Sequence, residues 1–193
     1  MTSGCYAVVA YLSGPLAEFV QGLRSQLVPR EAHVRPHLTL LAPRVLESPP
    51  EKLHSALQRI CYKEPPLRVL FGEVENFVPS TSTVYLRIHE GAGELCDLHQ
   101  RLNQYGFRAE ESWPYVPHVT LAKLGDNEAA LDAMKEAQRQ WSLYAGMREF
   151  RIEKLTLVRE VTPDFWDDLA TVVLAPASLL GAHESTCPES GRP

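Results

Sequence analysis

"PHLTL" (Pro36–Leu40) and "PHVTL" (Pro117–Leu121) decide the reading of this chain. In the first, part of "RPHLTLLAP" (35–43), strand alternation puts Leu38 and Leu40 on one face and leaves His37 and Thr39 on the other. A single stretch of this kind has an ordinary explanation: a partly buried histidine beside a β-prone threonine. The second copy changes that. Four of the five residues are identical, and each copy is the third element of one half of the chain. Proline and leucine recur because related halves share packing positions. Histidine and threonine lie off the core-facing row, so packing gives no reason to keep that pair twice. The pair marks a functional site.

Outward from the motifs, both halves read as strand, helix, histidine-bearing strand, helix, strand. In the first half "CYAVVAYL" (5–12) is a strand and "GPLAEFVQGLRSQL" (14–27) a helix. After the motif strand, "SPPEKLHSALQRICY" (48–62) is a helix with Ser48 as its N-cap, and "LRVLFGEVENF" (67–77) is a strand bent near Gly72. In the second half "TVYLRIH" (83–89) is a half-buried strand with Tyr85 and Arg87 on its polar face. "AGELCDLHQRLNQYG" (92–106) is a helix stopped by Gly106, and "DNEAALDAMKEAQRQW" (126–141) is a helix with an Asp/Asn cap. "FRIEKLTLVRE" (150–160) and "LATVVLA" (169–175) close the fold as two strands. One domain is expected over residues 1–176, with repeats at about 5–78 and 82–175. Residues 177–193, with His183 and Cys187, are expected to form a disordered tail without a functional role.

The 193 residues suffice to bury a core, and 45% hydrophobic with 22% charged residues is ordinary for a globular chain. A net charge of −5 argues against gripping long duplex nucleic acid by phosphate neutralisation. It leaves room for a small nucleotide or an RNA terminus held in a local pocket. Four cysteines occur without a CxxC or a zinc-type pairing with histidine, as reduced thiols do. The apolar run at 5–12 is too short to span a membrane, and no Lys or Arg precedes it as in a secretory leader. The expectation is a cytoplasmic protein. Oligomeric state is not legible.

If the halves pack about a pseudo-twofold axis, His37, Thr39, His118 and Thr120 converge on one cleft. Two imidazoles that titrate near neutral pH can serve as general base and general acid. Two hydroxyls beside them can hold non-bridging phosphate oxygens. The set suits phosphodiester cleavage without a metal. A zinc site is the competing reading, but threonine is a poor zinc ligand and no acid or thiol accompanies either motif. Four further residues are candidate substrate contacts. Arg35 shares the parity of His37, and Tyr85 lies on the polar face of its strand. Tyr115, in "SWPYVPH", either stacks on a base or pins a loop. Lys123 reaches the phosphate only if its strand bulges or has ended. His33, His54, His89 and His99 read as surface or structural residues, and Glu110–Glu111 as a solvated loop.

"HLTL" (37–40) and "HVTL" (118–121), 81 residues apart, resemble the paired H-x-T/S-x motifs of the 2H phosphoesterase superfamily. That group includes 2′-5′ RNA ligase-like proteins and RNA 2′,3′-cyclic phosphodiesterases. "LTLVRE" (155–160) resembles the family's late strand, and the likeness covers residues 5–175. It implies an α+β bilobal fold: two pseudo-symmetric halves with antiparallel sheets around a central cleft and helices outside. It also implies cofactor-free chemistry at a 2′,3′-cyclic phosphate or a 2′-5′ phosphodiester, with ligation as the reverse reaction. His37 and His118 would be the acid/base pair, and Thr39 and Thr120 the phosphate binders. The first motif continues as "LLAPRVL" and lacks the F-L-G run common in the cyclic phosphodiesterase branch, which leaves the substrate open. Two other readings stand beside this one: a nucleotide-binding module without turnover, and a phosphodiesterase acting on a non-RNA cyclic phosphate.

Overall fold

A computed structural model describes residues 3–175, so the tail at 177–193, with His183 and Cys187, lies outside the described residues. The chain runs β1 (Gly4–Tyr11), α1 (Gly14–Leu27), β2 (His37–Leu46), α2 (Pro50–Cys61), β3 (Leu67–Asn76) and β4 (Thr83–Glu90). It continues through α3 (Ala92–Leu102), β5 (His118–Lys123), α4 (Asn127–Leu143), β6 (Glu149–Ile152), β7 (Lys154–Thr162) and β8 (Phe165–Val173). The fold class is α+β. Two four-stranded sheets form, ordered β2-β1-β7-β8 and β5-β4-β3-β6, and every pairing is antiparallel. Each motif strand is the edge of its sheet, and the two edges, β2 and β5, run close together.

The lobes do not coincide with the sequence repeats. β3 ends the first repeat yet pairs with β4 and β6 in the second sheet. β7 and β8 come last yet complete the first sheet beside β1. The stretch 150–160 is therefore two strands and not the single one expected. Apolar parity changes between Ile152 and Leu155, and Glu153 marks the crossing from one sheet to the other.

Local sequence explains most elements. α1 buries Leu16, Val20 and Leu23 on one stripe, and α2 buries Leu53, Ala56, Leu57 and Ile60. α2 starts one residue later than expected: Pro49 occupies the N-cap position with no side-chain cap, and Pro50 fits the first turn because it has no N–H to satisfy. α3 ends at Leu102, short of Gly106, with Asn103 at the C-cap and a 3-10 turn at Tyr105–Phe107 following. α4 carries the expected cap, Asp126 accepting from the Ala129 N–H at 2.8 Å. Its Trp141 is buried and donates to the Gly72 carbonyl at 2.8 Å, where the β3–β4 ladder is irregular. One main core collects these residues under both sheets. Among the described residues no helix is long and apolar enough to cross a membrane.

Asp126→Ala removes the one side-chain cap of α4 and should cost about 1 kcal/mol, read as a lower urea midpoint at unchanged m-value.

Candidate active site

The two motifs fold alike. In each, a proline precedes the histidine, and its carbonyl accepts from the adjoining strand: Leu12 N–H to Pro36 at 3.0 Å, Ile88 N–H to Pro117 at 3.3 Å. His37 Nδ1 lies 2.7 Å from the Arg35 carbonyl, and His118 Nδ1 lies 2.6 Å from the Val116 carbonyl. A carbonyl can only accept, so each Nδ1 carries the hydrogen and each neutral ring keeps its lone pair on Nε2. Register puts His37 opposite Tyr11 and Thr39 opposite Val9, while His118 faces Arg87 and Thr120 faces Tyr85. Opposed residues share a face. That face is the one turned from the main core, since Val9 belongs with Ala7 and Val158 to a separate small cluster. Among the described residues neither threonine hydroxyl has a hydrogen-bond partner.

Both strands then bulge at the same place. Leu40 and Leu41 together oppose Val8, and Leu121 and Ala122 together oppose Val84. The bulge reverses parity, so Lys123 pairs with Thr83 and returns to the face of His118 and Thr120. The equivalent residue of β2 is Ala42. A single cation therefore distinguishes two otherwise matching strands.

A tyrosine, an arginine and a carboxylate stand beside each histidine. In the first lobe Tyr11 Oη donates to Asp168 at 2.5 Å, and Arg35 reaches the same carboxylate at 3.1 Å while lying 3.6 Å over the Tyr11 ring. In the second, Tyr85 Oη and Arg87 each donate to Glu75 at 3.0 Å. Phe77 stacks on Tyr85, and both present their rings to His118 at 5.1 Å. Burial, then the carboxylate, pushes the Tyr85 hydroxyl up to about 12, and the same causes raise Tyr11 further. Both phenols therefore stay protonated as donors.

Burial also sets the histidines. His37 is pushed down to about 4, chiefly by desolvation, against the pull of the Arg35 carbonyl; the charges of Arg24, Lys123 and His118 add to the fall. His118 is lowered by desolvation first, with its Val116 bond opposing and Lys123 contributing. The Lys123 charge lowers both histidines. That face therefore disfavours added positive charge and favours an anion.

The sequence profile of the 2′-5′ RNA ligase superfamily matches residues 12–164. The chain belongs to that superfamily. Among superfamily relatives, a "putative phosphoesterase" of Oceanobacillus iheyensis is 26% identical over 173 residues, covering 88% of this chain and 97% of its own. Another from Bacillus cytotoxicus is 33% identical over 127 residues, covering 64% and 72%. Among solved structures, E. coli LigT complexed with ATP superposes at a TM-score of 0.62 with 17% identity, over 91% of this chain and 99% of that one. LigT complexed with 3′-AMP gives the same TM-score at 15% identity, over 90% and 99%. At such identities the likeness shows the fold.

Within the superfamily fold, the expected contacts divide. Arg35, Tyr85 and Lys123 stand on the histidine faces as described. Tyr115 does not join them. Its ring lies flat on His99 at 4.0 Å, and its hydroxyl donates to the Thr39 carbonyl at 2.9 Å. It pins the loop to β2, the second of its two sequence readings. Glu111 also departs from expectation, since its carboxylate binds both Arg44 (2.5 Å) and the buried His99 (2.8 Å). Sequence reasoning missed Tyr11, Glu75, Phe77 and Asp168. Tyr11 carried a signal, being the last residue of a strand due to pair with the motif strand. Among the described residues no group of three or more His, Cys, Asp or Glu side chains forms a metal-ligand set.

Nitrogen NMR should report neutral His37 and His118 both as Nδ1–H tautomers. The depressed His37 value also predicts a pH effect on stability. The unfolded chain, at its ordinary 6.5, takes up a proton that the fold refuses until about 4. Stability is whole above pH 6.5 and falls as pH drops through that window. His37→Gln should flatten this part of the curve in urea unfolding series run across it.

Proposed function

We propose that this protein is a phosphodiesterase that works without a metal, acting on the 2′,3′-cyclic phosphate or 2′-5′ phosphodiester of RNA ends or small nucleotides. One observation carries the reading: two imidazoles, each fixed through Nδ1 with Nε2 left free, stand at the starts of two motif strands that run close together. One Nε2 takes a proton from water as its oxygen attacks phosphorus. The other, protonated, gives its proton to the departing ribose oxygen as the P–O bond breaks. Thr39 and Thr120 donate to the non-bridging oxygens, and Lys123 balances their charge as it grows in the transition state. The phosphate anion itself raises the proton affinity of rings that burial had lowered. Substrate binding thereby supplies the protonated partner. With a 2′,3′-cyclic phosphate and water the expected product is a 2′-phosphate; a 5′-hydroxyl attacking in place of water, with the 3′ oxygen leaving, would form a 2′-5′ bond, the reverse of 2′-5′ phosphodiester cleavage.

Arg35 and Tyr85 would border the nucleoside portions of the ligand. LigT structures holding ATP and 3′-AMP support a nucleotide in this fold. A cytoplasmic location accords with such substrates.

His37→Ala and His118→Ala should each lower turnover of a 2′,3′-cyclic nucleotide by about 10²–10⁴-fold while melting curves stay cooperative. Lys123→Ala should chiefly lower kcat, and EDTA should leave the rate unchanged. Phosphorus NMR assigns the product. Full activity in either histidine variant overturns the mechanism, and tight nucleotide binding with no turnover across a substrate panel would make the protein a binding module.

A further inference from the structure

A second feature of the surface is not used by the cleft. A groove of about 1060 Å³ runs between α3 and the segment 103–115, and its lining ends at Tyr115, three residues before His118. Its walls carry Gln100, Gln104, Tyr105, Arg108 and Trp113. Two large aromatics stand in water there, Tyr105 at 73% and Trp113 at 66% exposure. Neither belongs to the core or its packed margin. Tyr105 is moreover held at a φ of +52°, a left-handed conformation that bulky side chains adopt at a cost. The fold thus spends backbone strain to keep an aromatic ring on the surface.

A second concavity, of about 680 Å³, begins at the next residue, Gly106, and is lined by Lys52 and Arg59. The Arg59 guanidinium lies 5.8 Å over the Tyr105 ring and joins the two. Charge along this path opposes the acidic balance of the chain. Its cations are Lys52, Arg59 and Arg108. Of its two carboxylates, Glu51 and Glu111, the second spends both oxygens on Arg44 and His99. Exposed aromatics spaced among cations and amides are the chemistry that tracks a single-stranded nucleic acid: rings stack on bases and cations follow phosphates.

We propose that this groove binds the single-stranded RNA segment leading to the reacting phosphate, with Trp113 and Tyr105 as base platforms and Arg108 as a phosphate contact. The proposal rests on the phosphodiesterase reading for its substrate, but its site is separate. His99 and Tyr115 line it and bond the Leu40 and Thr39 carbonyls, so the groove lies against the edge of the first motif strand.

The test compares 2′,3′-cyclic AMP with a ribo-oligonucleotide pentamer ending in the same cyclic phosphate, using the full chain. Wild type should favour the pentamer in kcat/KM. Trp113→Ala and Tyr105→Gly should each remove about tenfold of that preference through KM, with cyclic AMP turned over as before. Tyr105→Gly should also raise Tm, because glycine relieves the left-handed strain. Equal losses on both substrates, or none on either, overturn the proposal. If wild type hydrolyses neither, the catalytic reading has failed and the groove is judged by binding alone. An uncapped RNA pentamer should then quench Trp fluorescence saturably in wild type and not in Trp113→Phe. Arg108→Gln should lower the salt slope of that binding by about one. Absence of quenching in wild type overturns the groove independently.

Discussion

An imidazole can exchange protons at one nitrogen in a defined way only if the other is held out of play, and here the backbone holds it. Each Nδ1 donates to the carbonyl two residues earlier, across a proline that has no N–H of its own to compete. The proline's carbonyl is tied in turn to the neighbouring strand. Ring, turn and sheet edge are therefore one rigid unit, built twice. The alternation that follows puts the threonine on the histidine's face, and the bulge after it decides what comes next. Lys123 in one copy and Ala42 in the other give a nearly symmetric frame a single positive pole.

How the sheets are assembled decides what surrounds that unit. Because β3 crosses over and β7–β8 return, each motif strand gains a neighbouring carboxylate from a remote part of the chain: Asp168 on β8, Glu75 on β3. Each carboxylate gathers a tyrosine and an arginine. Such exposed ion pairs contribute little to stability, about 0–1 kcal/mol each. Their effect is orientation. They fix which way the phenols and guanidiniums lean beside the histidines.

The matching local geometry of the two motifs was legible because repetition separates a recurring polar pair from a packing pair. Most elements were legible too, since their apolar periods are clean. What was not legible came from long-range pairing. The sheet change at Glu153 left only a parity slip between Ile152 and Leu155. Asp168 and Glu75 had no local pattern, because their role arises only when distant strands meet. Glu111 read as solvated for the same reason: nothing near it in sequence announces Arg44 and His99. Lys123 was half legible, since alternation pointed it away from the site and only the bulge brings it back.

Edge strands normally leave backbone groups unpaired, and β2 is an edge that faces the other lobe. Its carbonyls are met by side chains. His99 of α3 lies 2.7 Å from the Leu40 oxygen, Tyr115 takes that of Thr39, and buried Arg44 turns back to that of Ala42 at 3.0 Å. Arg44 also binds the Phe107 carbonyl at 3.1 Å, Asn103 at 2.8 Å and Glu111. Leaving one such buried group unsatisfied costs about 1–3 kcal/mol, so the second lobe is bound to the first along the edge of the first motif strand. Thr39 is thus held through its carbonyl by the loop that leads to His118. The edge of the first motif strand is joined to the second lobe by hydrogen bonds, and not by apolar contact alone.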